Sequence, residues 1–219
     1  MSITATALAP CSRCGEKTEI TIYKSINISE NPELKEKIRN GSLFIWECPH
    51  CRQANLARYE TLYHDPEQKI MIWLMPSGEL SETQMQAIAN HTRAMGNYRL
   101  RLVKDVGALM EKILIFDSGL DDMAVEMCKY VTKMELVSRN GSAREEIESM
   151  PFHFHRTDET DGVRSLVFIY PASGQMASLN VGFNVYEDSL GILERNPDII
   201  PGQDTFMKID QDWISSFMK

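Results

Sequence analysis

Two cysteine motifs, Cys11-Ser12-Arg13-Cys14-Gly15 and Cys48-Pro49-His50-Cys51, decide the fold of this chain. The C-x-x-C spacing is typical of a knuckle that directs two thiolates at one metal ion, and two such pairs complete a tetrahedral zinc site. Gly15 favours this interpretation, because the residue after such a knuckle needs a positive φ, and Pro49 stiffens the second turn. We therefore predict that one structural Zn²⁺ is bound by Cys11, Cys14, Cys48 and Cys51.

The second motif allows a different interpretation. Cys48-Pro49-His50-Cys51 matches the active-site sequence of strongly oxidising thioredoxin-fold enzymes, with Phe44-Ile45-Trp46 as the preceding strand and Met150-Pro151 in place of their cis-proline. This alternative, a thiol-disulfide oxidoreductase, gives the first motif no role. A catalytic zinc would need an open coordination position, which four cysteines close.

The 33 residues between the motifs must return the second knuckle to the first. Apolar alternation predicts a strand over Thr18 to Ile28. Asn31-Pro32-Glu33 begins a helix that runs from Pro32 to Arg39. Ser42 to Glu47 is a second strand, so the insertion is predicted to be β-α-β.

Strand and helix signals continue beyond the second motif. Gln53 to Tyr63 and Lys69 to Met75 are predicted to form a hairpin, and a capping box at Ser81 opens a helix to about Met95. Asn97 to Val103 is extended or begins the next helix. Two amphipathic helices follow, one from Val106 to about Ser118 and one from Asp121-Asp122 to about Val137. Cys128 lies on the apolar side of the second of these, and Asp117, Asp121 and Asp122 are interpreted as helix caps.

The C-terminal part changes character after a polar stretch, Ser138 to Ser149, which we interpret as a linker. Strands are predicted at Pro151 to His155, Ser165 to Tyr170 and Leu179 to Tyr186, and short helices at Asp188 to Arg195 and Asp210 to Met218. His153 and His155 are predicted to share the solvent face of the first strand, opposite Phe152 and Phe154.

The predicted fold class is α+β: a zinc-ribbon-like four-cysteine module with an inserted β-α-β, a helical segment and a small C-terminal antiparallel sheet. The predicted domains are 1–140 and 141–219.

Composition narrows the classes of function. The 219 residues carry a formal net charge of −8, which argues against a general nucleic-acid-binding surface. The apolar runs are too short for a membrane span, and the first ten residues lack an export signal, so we expect a protein of the reducing cytoplasm, where thiols stay available for metal. Arg13, Lys17 and Arg52 beside the knuckles would offset the charge of a Zn²⁺ held by four thiolates; the alternative is that they contact a phosphate group.

With both knuckles in place, the chain resembles the CpXC family of bacterial proteins. The resemblance includes Asn31-Pro32-Glu33-Leu34-Lys35, the Gly41 to Trp46 strand, Tyr63-His64-Asp65, and the stretch from Tyr98 to Asp122. It implies a metal-binding N-terminal part with the four cysteines as zinc ligands, and carries no established activity. We expect a non-enzymatic zinc-binding module that contacts another protein. The enzymatic alternatives are the thiol oxidoreductase and a reaction in a cleft of the C-terminal half.

Overall fold

The computed structural model describes residues 2–76, 96–139, 141–172, 174–200 and 205–218, together with three single helical positions, Thr83, Ala87 and Asn90. The helix predicted from Ser81 to Met95 lies outside the described residues apart from those positions.

The chain forms two compact units. The first comprises Met1–Met110 and Gly202–Met207, and the second comprises Glu111–Pro201 and Lys208–Lys219. A domain boundary at residue 140, as suggested by the sequence, stays a prediction.

The first unit is built on a five-stranded mixed sheet. Its strands in chain order are β1 (Ile3–Pro10), β2 (Lys17–Asn27), β3 (Ile45–Glu47), β4 (Ala54–Leu56), β5 (Thr61–Asp65), β6 (Ile70–Leu74) and β7 (Arg99–Val103). The sheet has the order β1-β2-β5-β6-β7, and β3 with β4 forms a separate two-stranded hairpin. β1–β2 and β5–β6 are antiparallel, whereas β2–β5 and β6–β7 are parallel. β1 is not predicted from the sequence, because its small alanine and threonine side chains give little apolar contrast.

The predicted β-α-β insertion is confirmed. It consists of β2, helix α1 (Glu33–Arg39) and β3, with a 3-10 turn at Ser42–Phe44 before β3. Leu34 and Ile38 anchor α1 in the core, one helical turn apart. The predicted hairpin is confirmed for β5 and β6, in which Tyr63 lies opposite Ile72. Residues 54–56, expected in the same hairpin, pair with β3 instead.

Helix α2 (Val106–Asp117) begins in the first unit and ends in the second. In the second unit α3 (Asp122–Arg139) packs against α4 (Arg144–Ser149), α5 (Phe183–Arg195) and α6 (Gln211–Phe217). An antiparallel sheet of β8 (His153–Thr160), β9 (Val163–Ala172) and β10 (Gln175–Gly182) has β9 at its centre. The predicted α2, α3 and small C-terminal antiparallel sheet are confirmed.

Two predictions of secondary structure in the second unit are wrong. The polar stretch interpreted as a linker contains a 3-10 turn, Gly141–Ala143, and helix α4, because its one large apolar side chain, Ile147, is buried. The strand expected to reach Tyr186 ends at Gly182, where α5 begins. Tyr186, Ser189 and Leu193 recur every three or four residues and are buried, which is helical periodicity.

Among the helices in the described part of the chain, none has the length and apolarity needed to cross a bilayer.

Candidate metal centre

Each cysteine motif forms the turn of a hairpin. The first knuckle joins β1 to β2, and the second joins β3 to β4. Their backbone hydrogen bonds are equivalent: Cys11 N donates to Glu16 O at 2.9 Å, and Cys48 N donates to Gln53 O at 2.9 Å. In each knuckle the amide four residues after the first cysteine donates a hydrogen bond to the carbonyl oxygen of that cysteine. Gly15 N lies 3.0 Å from Cys11 O, and Arg52 N lies 2.8 Å from Cys48 O. Two copies of one local structure therefore present the thiols.

The four thiols converge on one point. All four Sγ atoms lie within 4.8 Å of one another. The separations across the knuckles are 3.6 Å between Cys11 and Cys51 and 3.7 Å between Cys14 and Cys48. Sulfurs bound to one tetrahedral ion at about 2.3 Å would be about 3.8 Å apart, whereas a disulfide needs about 2.05 Å. The four cysteines are free thiols spaced for a metal ion, and the cluster is compatible with metal binding.

The thiols differ in their electrostatic surroundings. A hydrogen bond from the Cys14 backbone lowers the pKa of the Cys11 thiol to about 6 despite desolvation, with help from the Arg13 amide. At Cys14 a hydrogen bond from the Glu16 backbone acts in the same direction, but desolvation and the neighbouring thiols outweigh it and raise the pKa to about 12. The Cys11 thiol therefore ionises more readily than the Cys14 thiol, and a bound cation would offset the negative charge of further thiolates.

Asn55 is a residue of this site that was not predicted from the sequence. It lies on β4 and is only 7% exposed. Its Nδ2 donates to Cys11 Sγ at 3.7 Å, and its Oδ1 accepts from the Ser12 backbone amide at 2.8 Å. The only signal in the sequence is a polar side chain four residues after Cys51, and that signal does not point to a partner more than forty residues away.

The thioredoxin-like alternative requires a helix directly after Cys51. The structure has a turn and then strand β4 at this point. The peptide bond between Met150 and Pro151 is trans. Without a helix N-terminus, Cys48 and Cys51 lack the feature that makes such a dithiol strongly oxidising.

Asp121, Cys128, His153 and His155, also singled out in the sequence, belong to the second unit. Asp121 caps α3 as predicted, since its Oδ1 accepts from the Met123 and Ala124 amides. Cys128, which the sequence places on the apolar side of α3, is buried; its Sγ lies 3.5 Å from Ser189 Oγ, and burial raises the pKa of this thiol to about 11.

The predicted solvent-facing histidine pair is wrong for His153. Phe152 and Phe154 are buried and His155 is exposed, as expected. His153 is half-buried, and its Nδ1 lies 2.9 Å from Glu111 Oε2. A register shift between Phe154 and Arg156 interrupts the alternation along this strand.

Glu111 belongs to a cluster of buried charges that the sequence does not predict. Its carboxylate accepts from Lys129 Nζ at 3.1 Å and from the Phe154 amide at 2.7 Å. Lys129 also pairs with Glu126 at 2.7 Å. Nearby on the same two helices, Lys112 Nζ lies 2.8 Å from Asp122 Oδ2. Asp122 is therefore an ion-pair partner, whereas it was predicted to be a cap.

Comparison with curated proteins and with solved structures found no match. The family model described as "CpXC protein" matches residues 9–129, which include both knuckles, the inserted β-α-β and the first part of α3. This stretch is more than half of the 219 residues. The chain belongs to the CpXC family.

Proposed function

We propose that Cys11, Cys14, Cys48 and Cys51 bind one Zn²⁺ as a structural ion, and that the protein is a non-enzymatic module that contacts another protein. The observation that carries the zinc proposal is the 3.6 and 3.7 Å separation of sulfurs across the two knuckles. Four thiolates in a tetrahedron suit zinc or iron, and they leave no position for a substrate.

Binding energy at such a site is folding energy, because the unfolded chain does not hold the four thiolates together. The metal joins the β1–β2 hairpin to the short β3–β4 hairpin, and a hairpin of this size has little stability of its own. We expect the zinc to hold the second hairpin in place.

Elemental analysis of the full chain tests the proposal. We expect about one zinc per chain, with the four thiols protected from modification until a chelator removes the metal. In Cys48→Ser, metal should be lost and residues 11–75 should become protease-sensitive, while the second unit stays folded. Full zinc content and unchanged proteolysis in Cys48→Ser would contradict the proposal, and a thiol pair that oxidises dithiol substrates would favour the oxidoreductase.

A pair of exposed apolar side chains supports contact with another protein. Ile45 on β3 and Leu56 on β4 lie opposite each other and are 51% and 48% exposed. The zinc would fix this pair on a rigid hairpin. Replacing both with serine should leave zinc content unchanged and weaken capture of a partner from cells; capture equal to that of the wild-type protein would exclude this surface.

A further inference from the structure

Asn55 connects the two knuckles without any metal. Its Oδ1 accepts two hydrogen bonds from Ser12, one from the backbone amide and one from the hydroxyl, each 2.8 Å long. Its Nδ2 donates to Gln53 O at 2.8 Å and to Cys11 Sγ at 3.7 Å. The oxygen thus accepts two bonds and the amide nitrogen donates two, so the side chain uses its full capacity.

We infer that Asn55 is a positioning residue for the metal centre, an inference that rests on the proposed zinc site. It holds the first knuckle against the β3–β4 hairpin, so that part of the ordering of the four thiols is complete before the ion arrives. Its amide also donates to the Cys11 sulfur at 3.7 Å, so it orients this ligand and withdraws negative charge from the sulfur.

The matching position in the first hairpin has no such role. Thr18 follows Cys11 by seven residues, as Asn55 follows Cys48. Thr18 Oγ1 is buried and, among the residues the structure describes, has no hydrogen-bond partner. The two knuckles share their backbone geometry, and the asparagine makes the site asymmetric. Thr18 therefore provides a matched control at an equivalent position.

The test compares the full-chain wild-type protein with Asn55→Asp, Asn55→Ala and Thr18→Val. Asn55→Asp keeps the shape and the oxygen that faces Ser12, but replaces the amide donor beside Cys11 with a charged oxygen. Asn55→Ala removes the donor without adding charge. Zinc affinity is measured by competition with a chromophoric chelator, and the sulfur-to-metal charge-transfer band is recorded with Co²⁺ in place of zinc.

We expect both Asn55 variants to bind zinc roughly 10- to 100-fold more weakly, the usual effect of removing a hydrogen-bond partner of a metal ligand. Their Co²⁺ band should shift, because the charge on the Cys11 sulfur changes; a purely structural role would not move it. Thr18→Val should match the wild-type protein in both measurements.

Wild-type affinity, within about twofold, together with an unshifted band in both Asn55 variants would overturn the inference. If either variant fails to fold around metal while Thr18→Val folds, the pre-assembly role is supported. If the wild-type protein itself takes up no zinc, the proposed function fails, and this result is distinct from a failure of the inference.

Discussion

Gly15 and Arg52 occupy the same position in the two knuckles, directly after the second cysteine. Gly15 has φ of 75° and Arg52 has φ of 58°. A left-handed backbone costs a non-glycine residue roughly 1–2 kcal/mol, so the second knuckle carries a strain that the first avoids.

Introducing glycine at position 52 and removing it from position 15 should have opposite effects on stability. Arg52→Gly should stabilise the metal-bound protein by up to about 1 kcal/mol, after allowing for the greater freedom of glycine in the unfolded chain. Gly15→Ala should destabilise it by about 1 kcal/mol through φ alone, because in the described part of the chain no atom beyond the two adjoining residues lies within 4 Å of the added Cβ. Urea unfolding of the zinc-loaded protein measures the change in stability of both variants. A loss of stability in Arg52→Gly would contradict the inference that Arg52 is strained.

Removal of a buried charge should be costly. Glu111→Gln keeps the shape of the side chain but leaves Lys129 with Glu126 as its remaining acidic partner. Breaking a buried ion pair costs roughly 3–5 kcal/mol, and we expect the lower end because one partner remains. Glu135→Gln, in an exposed pair with Arg139, is the matched control and should change stability by less than about 1 kcal/mol. Equal unfolding midpoints for the two variants would show that the buried pair contributes no more than the exposed one.

At this scale the cysteines could be predicted and Asn55 could not. A C-x-x-C motif encodes its own turn, and two such motifs are enough to predict that four cysteines come together in a cluster compatible with metal binding. Asn55 acts through Ser12 and Cys11, which are more than forty residues away in sequence and come into contact with it only in the folded protein.

At the scale of elements, periodicity predicted α2 and α3 but not what they bury. Glu126 and Lys129 would be assigned to a solvated face by their charge, yet they are 3% and 9% exposed. They are buried because α2 supplies Glu111 as a partner. A contact between two helices cannot be predicted from the hydrophobic periodicity of either helix alone. In the same way β1 forms by pairing with β2, since its own sequence is weakly apolar.

Acid should destabilise the second unit through Glu111. Burial alone would raise the pKa of this carboxyl, but Lys129 and His153 lower it to about 2, against an ordinary value of 4.5. Its contribution to folding is therefore present above pH 4.5 and is lost as pH falls towards 2. Glu126 acts in the opposite sense: burial raises its pKa, so its contribution weakens as pH rises past 4.5.

Replacing Trp46 and Trp73 with phenylalanine leaves Trp213 as the only tryptophan, a buried reporter in the second unit. In this background we expect the urea concentration at the unfolding midpoint to decrease as the pH is lowered from 4.5 to 2.5. Glu111→Gln should make this decrease smaller. A pH dependence that is the same with and without Glu111 would assign the acid sensitivity to other groups.

At the scale of the molecule, the first unit is completed by a segment that follows most of the second in sequence. Met207 N donates to Leu100 O at 3.2 Å, and Leu102 N donates to Met207 O at 2.9 Å, so this segment pairs with β7. Phe206 joins a buried cluster with Met71 and Tyr98. No local pattern indicates that a short segment so far along the chain returns to the first sheet.

Phe206→Ala should therefore destabilise the first unit by about 3–5 kcal/mol, the usual cost of removing a buried phenylalanine side chain. Hydrogen exchange should accelerate in β6 and β7. Phe217→Ala removes the same group from a side chain that is 44% exposed in the second unit, and exchange in β6 and β7 should not change. Unchanged exchange in Phe206→Ala would show that β7 is stable without this contact.

The pairing of Met207 with β7 has a consequence for biosynthesis. Both knuckles precede β7 in the chain, so their four cysteines can converge before that strand is synthesised. The outer edge of β7 must wait until residues 205–207 are translated, about a hundred residues after the strand itself. During that interval the growing polypeptide exposes an unpaired strand edge, the kind of surface that chaperones shield.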